Sequence, residues 1–186
     1  MKGLIFSQHM YESILSGSKT MTRRLIKPQP VLTTDIPYGD EYFGINAEGY
    51  YFPIKPRYNV GETVYLKEVY YKEKDTGEVM YSNPVESKRC WNKISPMFMP
   101  EKYARNWIEI VSVKAERLQD ISDEDIRKEG IQRLGDFADY NYYVDGIKWH
   151  FNNPREAFAA LWDSNHKKNK WETNPWIWKY ELKLIK

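Results

Sequence analysis

The chain has 186 residues, of which 41% are hydrophobic and 29% are charged, and its formal net charge is +2. The length is typical of one domain, with or without insertions, and the apolar fraction is sufficient for a buried core. A net charge this small excludes a protein that binds nucleic acid through its overall charge, so any site for an anion must be local.

Cysteine and histidine usage argues against disulfides and metal centres. Cys90 is the single cysteine, so no internal disulfide can form, and we expect a cytoplasmic protein. The three histidines, His9, His150 and His166, lack the spacing of zinc ligands, and we expect neither a metal nor another cofactor. The N-terminal region has no long apolar run, which predicts no signal peptide, no membrane span and no membrane partner.

The N-terminal part predicts a strand, a helix and a second strand. Residues 3–6 are apolar and extended. Ser7 can cap a helix over residues 8–16, which Gly17 then ends. Residues 20–26 favour a pleated strand, and two prolines follow it.

The middle of the chain predicts further strands. Residues 42–45 and 50–52 flank a glycine turn and indicate a hairpin, and residues 63–71 form one long strand pattern. A turn then leads to a partner strand at residues 78–81. Residues 82–101 are rich in proline and indicate loops.

The C-terminal half alternates strands and helices. Residues 106–118 are the longest strand pattern, with irregular alternation that indicates a bulge, and residues 120–130 form a short acidic helix. Residues 132–153 show no assignable pattern. A helix over 155–162 and a strand over 176–185 follow. Together these elements predict an α+β fold whose sheet closes into a small barrel.

Aromatic residues make up 16% of the chain, with 15 Tyr, 7 Trp and 7 Phe. Two interpretations are open: an aromatic β core, or rings that line a cleft and stack on bases. Trp176 and Trp178 lie on the same face of a strand, which favours burial of both, whereas Trp171 flanks a basic loop where a ring could stack on a base.

The segment from Ser18 to Arg24 is the most distinctive feature. Its run Lys-Thr-Met-Thr-Arg-Arg contains three cations and two hydroxyls, and no acidic residue lies between Glu12 and Asp35. With Lys27, these cations predict a local positive field in a nearly neutral protein. Such a field suits an anion such as a phosphate or a nucleic-acid backbone.

Several segments together resemble the ASCH domain family of the PUA-like superfamily, in particular its phage and prophage members. The similarity extends over well over half of the chain, and its segments include residues 4–7, 14–24, 60–68, the long stretch 98–121, 161–164 and 174–178, together with Asp125, Glu129 and Gly130. It implies a single domain over residues 1–186, a PUA-like β-barrel with flanking helices, and a cleft beside the first helix. Residues 31–58 and 132–153 have little counterpart in the small members and are interpreted as insertions.

The resemblance also implies functions. The fold is commonly linked to RNA binding, some small ASCH proteins remove the acetyl group of N4-acetylcytidine, and one member is linked to ribonuclease activity. By motif, the catalytic roles proposed for the amidohydrolases fall on Lys19, Thr22 and Glu129. The residues expected to bind a ligand or nucleic acid are Ser7, Lys19, Thr20, Arg23, Arg24 and Glu68.

The chemistry of Lys19, Thr22 and Glu129 leaves alternatives open. Like charges beside Lys19 favour its neutral amine, which would suit a base, but a solvated lysine could equally contact phosphate. Thr22 can be a nucleophile only with a base beside it, and is otherwise an ordinary strand residue. Glu129 lies at the negative end of a helix dipole, which suits a proton donor, or it is a solvated surface acid.

Arg23 and Arg24 point to opposite faces if their segment is a strand. One is then expected to bind a phosphate or carboxylate, and the other to pair with an internal acid such as Glu68. The alternative is that both arginines form structural salt bridges.

Three classes of function follow. The first is an RNA- or nucleotide-ligand-binding module with a cleft around the basic run. The second is a metal-independent enzyme, either an amidohydrolase that acts on an N4-acetylcytidine-type nucleoside or a ribonuclease. The third is a protein-interaction module that uses the aromatic side chains of residues 140–149.

Overall fold

The computed structural model describes residues 1–33, 42–84, 90–133, 142–144 and 147–185. In this part the helices are α1 (Gln8–Leu15), α2 (Asp123–Lys128) and α3 (Pro154–Asn165). The strands are β1 (Gly3–Ile5), β2 (Met21–Leu25), β3 (Leu32–Thr33), β4 (Tyr42–Ile45), β5 (Tyr51–Ile54), β6 (Thr63–Lys67), β7 (Tyr70–Glu73), β8 (Val79–Met80), β9 (Trp91–Ile94), β10 (Trp107–Arg117), β11 (Gln132–Arg133), β12 (Tyr142–Val144), β13 (Ile147–Phe151) and β14 (Trp176–Ile185). None of these helices combines the length and the apolar character that crossing a membrane requires.

A five-stranded sheet in the order β1-β6-β10-β14-β2 forms the centre of the fold. β1 pairs with β6 in parallel, and the other pairs are antiparallel. The predicted bulge in the longest strand is confirmed, because the register of β10 against β14 shifts between Ile110 and Ser112. Such a bulge bends a long strand and increases its twist.

Successive side chains of β14 point to opposite faces of the sheet, and a hydrophobic core lies on each face. Trp176, Trp178 and Tyr180 belong to one core with residues of β1, α1, β6 and β10. Ile177, between the two tryptophans, belongs to the second core, which includes Phe158 and other residues of α2 and α3. The prediction that both tryptophans are buried on a shared face is therefore confirmed.

The α+β class is confirmed, but the described sheets do not close into a barrel. β1 and β2 are the two edges of the central sheet, and side chains bridge the space between them. The Nη2 of Arg24 on β2 donates to the backbone oxygen of Ile5 on β1 over 2.8 Å. These two edges do not pair in a ladder, and the side chain of Arg24 spans the opening between them.

The two segments interpreted as insertions each contribute a small antiparallel sheet. β3, β4 and β5 lie within residues 31–58, and β11, β12 and β13 lie within residues 132–153. The 42–45 and 50–52 hairpin is confirmed, with Gly49 at φ 85° in its turn. Most side chains of the aromatic stretch at residues 140–149 lie outside the described residues.

The prediction of one continuous strand over residues 63–71 is wrong. The segment is two strands, β6 and β7, that belong to different sheets and separate at Glu68. The amide of Glu68 faces the sulfur of Met99 at 3.2 Å rather than a strand partner, and its carboxylate accepts a hydrogen bond from Tyr11 over 2.8 Å. Glu68 thus has its hydrogen-bond partners outside the central sheet, as a buried acid requires. β9 was also missed in the proline-rich stretch.

The predicted helices are confirmed. Ser7 caps α1 by accepting from the amide of Met10, and Gly17 follows the helix at φ 80°. Ser122 caps α2 by accepting from the amide of Asp125, so the short acidic helix begins where the capping pattern indicated. Asn153 caps α3 in the same way and Pro154 opens its first turn, but the helix continues to Asn165, beyond the predicted end.

Candidate functional site

A cleft of about 320 Å³ opens between the two edges of the central sheet. The end of β1 and the residue after it form one wall, β2 forms the second, and α3 covers the third. Side chains of the basic run therefore meet rings that are distant in sequence. The aromatic side chains of the lining are Phe6, Phe158, Trp162 and His166.

Lys19 and Glu129 form a buried ion pair in this cleft. Lys19 Nζ donates to Oε2 of Glu129 over 2.6 Å and to its backbone oxygen over 2.8 Å. Lys19 is held by the turn after α1, where its amide donates to the oxygen of Ser13, and Glu129 is the C-terminal capping residue of α2. Each side chain is at most 5% exposed. The expectation of a solvated Lys19 or a solvated Glu129 is wrong, because the fold pairs the two.

Arg23 lies at the centre of a buried cluster of carboxylates. Its Nη2 contacts Glu116 at 2.8 Å and Asp125 at 2.6 Å, and its Nη1 contacts Glu129 at 3.2 Å. Lys179, which pairs with Arg23 in the register of β14 and β2, also contacts Glu116 and Asp125. The guanidinium is therefore a structural cation, and it is not available to a ligand.

Arg24 points to the other face, as alternation predicts. Its guanidinium lies over the ring of Phe6 at 5.1 Å, and its Nη2 bond to Ile5 holds it there. No carboxylate lies within ion-pair distance among the described residues, and its buried Nε has no hydrogen-bond partner in them. Arg24 is therefore a cleft-lining cation whose charge no described carboxylate pairs with directly.

The other predicted binding residues divide into two groups. Thr22 is buried and lines the cleft with Ser7, whose hydroxyl also caps α1. Thr20 is exposed and is not among the cleft-lining residues. Glu68 is buried elsewhere and binds Arg105 through two hydrogen bonds, so its predicted pairing with Arg23 or Arg24 is wrong. Arg105 lies 37 residues from Glu68, so no local pattern in the sequence indicated the Glu68–Arg105 pair.

Burial and pairing shift the cleft cations in different directions. Burial lowers the pKa of Lys19, and the charge of Glu129 opposes this only in part. Burial also acts to lower the pKa of Arg23, but Glu129 and Glu116 outweigh it, so that pKa is raised. For Arg24, burial dominates and lowers the pKa, although a guanidinium stays charged under ordinary conditions.

The wall formed by α3 was missed by the sequence reasoning. His166 stacks on Trp162 with ring centroids 3.8 Å apart, and its Nδ1 lies 3.0 Å from the backbone oxygen of Trp162. Burial lowers the pKa of His166, and the charges of Arg24 and Lys27 add to that effect. The only signal in the sequence was the position of His166 at the end of an aromatic helix.

Gly130, just after α2, lies against the side chain of Lys19, and its replacement tests how closely the two pack. It has φ 92°, and an added Cβ would lie 3.2 Å from Cβ of Lys19. Replacing Gly130 by alanine is expected to lower the free energy of unfolding by about 2–4 kcal/mol, since left-handed strain adds to overpacking. Urea denaturation measures this. Gly49→Ala is the control, because Gly49 has φ 85° and open space around it. Equal losses would mean that Lys19 moves aside freely.

No group of three or more histidine, cysteine, aspartate or glutamate side chains in the described part of the chain could hold a metal ion. The three carboxylates around Arg23 are neutralised by Arg23 and Lys179. What the cleft offers chemically is therefore an amine–carboxylate pair, a hydroxyl, a guanidinium without a carboxylate partner, and a lining of aromatic side chains.

The chain was compared with known protein families, with curated proteins and with solved structures, and none of them matches it.

Proposed function

We propose that the chain is an RNA- or nucleotide-ligand-binding domain whose cleft receives a nucleobase or nucleoside. The observation that carries this proposal is the position of Arg24. Its guanidinium has no carboxylate partner among the described residues, and Arg24 lines a cleft whose other walls are aromatic rings and the Lys19–Glu129 pair.

The cleft suits a heterocycle with polar edges. Aromatic side chains stack on a base regardless of its identity, and such stacking contributes about 1–3 kcal/mol per base. The carboxylate of Glu129 can accept from an amino group, and Arg24 can donate to a carbonyl or phosphate oxygen. A cleft with both types of group and a ring-lined wall matches a nucleoside better than it matches a simple anion.

The fold that we propose is the PUA-like fold of ASCH domains, of the phage or prophage type, in an open form. The resemblance in the basic run and the order of strands and helices support this assignment. The cleft lies beside the first helix, where the family pattern expects a ligand. We also propose a cytoplasmic location, and the single exposed thiol of Cys90 is compatible with a reducing compartment.

Arg24→Gln tests the binding proposal. The change removes the guanidinium that faces the cleft, and a charge-assisted hydrogen bond contributes about 1.5–3 kcal/mol. We therefore expect binding of a short single-stranded RNA or of cytidine monophosphate to weaken about tenfold to hundredfold. Fluorescence anisotropy and calorimetry measure the two ligands.

Lys114→Gln is the matched control. Lys114 is exposed on β10 and does not line the cleft, and its replacement changes the net charge by the same amount. If both variants lose affinity equally, the ligand is bound by overall charge and not in the cleft. An unchanged affinity in Arg24→Gln would overturn the proposal.

A second candidate is a metal-independent amidohydrolase. It is favoured by one observation: Lys19, Thr22 and Glu129 line the same cleft although Glu129 is 110 residues from Lys19. In this reaction water adds to the acetyl carbon of N4-acetylcytidine, the bond from that carbon to N4 breaks, and acetate and cytidine leave. The burial that lowers the pKa of Lys19 favours proton transfer between its amine and Glu129.

Incubation with N4-acetylcytidine in EDTA tests this second candidate, with cytidine followed by mass spectrometry. Release of cytidine would establish a metal-independent hydrolase. Absence of cytidine while RNA binds would leave the binding module. RNA cleaved in the same EDTA buffer would instead support the ribonuclease alternative.

A further inference from the structure

A second, larger cavity lies next to the candidate cleft. Its volume is about 650 Å³, and β1, β2, β6, β14 and the segment before β6 line it. The two cavities share a wall made of Ile5, Arg24, Asn165 and His166. They are therefore successive chambers in the opening between the edges of the central sheet.

The lining of the second cavity is strongly basic. Its cations are Arg24, Lys27, Lys55, Arg57 and Lys67, and none of its lining residues in the described part is acidic. The opposite holds for the first cleft, where carboxylates pair with Lys19 and Arg23. Since Lys27, Lys55 and Arg57 are exposed, they form a rim that a chain of anions can reach from solvent.

The number of charges indicates more than one phosphate. A phosphomonoester carries about −1.5 to −2 charges near pH 7, which is far less than the five cations of this lining. Successive phosphodiesters of a polynucleotide supply one negative charge each, and a positively charged groove that follows them is the usual way to bind a single strand.

The aromatic residues that line this cavity make internal hydrogen bonds or pack in the core. The hydroxyl of Tyr58 donates to the oxygen of Gly3 over 3.0 Å, and that of Tyr180 accepts from the amide of Arg57 over 3.2 Å. Trp178 is buried in the core. Because these polar groups are occupied inside the fold, the cavity offers charge and little that could recognise the edge of a base. It suits a sugar–phosphate backbone.

We infer that the second cavity holds the phosphates that flank the nucleotide whose base enters the first cleft, so that the ligand is single-stranded RNA and not a free nucleoside. This inference rests on the proposed function of the first cleft. Arg24 lies in the wall between the two cavities and donates to the phosphate at the boundary.

The test compares wild type with Lys27→Gln/Lys55→Gln, using cytidine monophosphate, cytidine triphosphate and a seven-nucleotide oligocytidylate RNA as probes. The control is Lys114→Gln/Lys183→Gln, which removes two exposed lysines that line neither cavity. We expect the wild type to bind the RNA at least about tenfold more tightly than the monophosphate. Each phosphate contact contributes about −0.7 to the slope of log affinity against log salt for a single strand, so the first double variant should lose about 1.4 of that slope, and about tenfold or more in RNA affinity at low salt.

Each outcome decides between the alternatives. Loss of RNA affinity and salt slope in the cavity variant, with the control unchanged, supports the inference. RNA and triphosphate bound equally tightly would overturn it in favour of a free nucleotide. If RNA binding requires Arg24 but the two double variants behave alike, the inference fails and the proposed function holds. No binding of any probe would overturn both.

Discussion

Replacing Arg23 by methionine is expected to lower the free energy of unfolding by about 3–5 kcal/mol, because removal of one partner from a buried charge cluster leaves the others uncompensated. Glu116, Asp125 and Glu129 all contact this guanidinium within 3.2 Å. Lys179 and Lys19 keep their own contacts with these acids, which places the loss near the lower end of the range. Urea denaturation followed by circular dichroism measures it.

Arg24→Met on the same strand is the matched control for that loss. Its guanidinium has no carboxylate partner among the described residues, so its removal should cost much less. A loss in Arg23→Met no larger than in Arg24→Met would contradict the assignment of Arg23 as the structural cation.

The dependence of the free energy of unfolding on pH gives a second measurement on the cluster around Arg23. Burial acts to raise the pKa of Asp125, but Arg23 outweighs it and holds that pKa below its ordinary value. The stability from this pair is therefore present above about pH 4 and is lost as the pH falls through the lowered value. In Arg23→Met the carboxyl of Asp125 protonates more easily, and we expect the difference from wild type to shrink on acidification.

Replacing Lys19 by methionine is expected to abolish cytidine release if the cleft is an amidohydrolase site. Loss of a positioned proton-transfer group reduces a rate by about 10²–10⁴-fold. The variant should still fold, since Glu129 keeps Arg23 as its partner at 3.2 Å. The measurement is cytidine formed from N4-acetylcytidine, at equal concentrations of protein shown to be folded.

Lys19→Arg separates proton transfer from charge pairing. Arginine keeps a positive charge beside Glu129 but does not lose its proton under ordinary conditions, so it restores the ion pair without restoring a base. If Lys19→Met is inactive and Lys19→Arg is active, Lys19 acts by positioning Glu129. Full activity in Lys19→Met would remove Lys19 from the mechanism, and the binding proposal would stand alone.

Local patterns were sufficient for most of the secondary structure. The caps Ser7, Ser122 and Asn153 are read from a few neighbouring residues, and so are the turns at Gly17 and Gly49. Their physical causes, which are hydrogen bonds to nearby amides and a left-handed backbone, act over four residues or fewer. The one long strand that was wrong is interrupted at Glu68, whose partners are distant in sequence: Tyr11 lies 57 residues away and Arg105 lies 37 residues away.

The candidate site shows the limit of such local reasoning. The basic run was expected to give an unneutralised positive field around Lys19, Arg23, Arg24 and Lys27. Acids at residues 116–129, which lie far from the basic run in sequence, neutralise Lys19 and Arg23, so the field is reduced there. Arg24 and Lys27 instead line a second cavity together with Lys55, Arg57 and Lys67.

The sequence alone determined the class of fold, the positions of the helices and the residue types that the site would use, because these depend on periodicity, capping and composition. Only the tertiary structure decided which cation faces the cleft without a carboxylate partner. Alternation along β2 sends neighbouring arginines to opposite faces, and burial makes each charge depend on the partners that the fold brings to it. Arg23 meets three carboxylates, whereas Arg24 meets an aromatic ring and an open cleft.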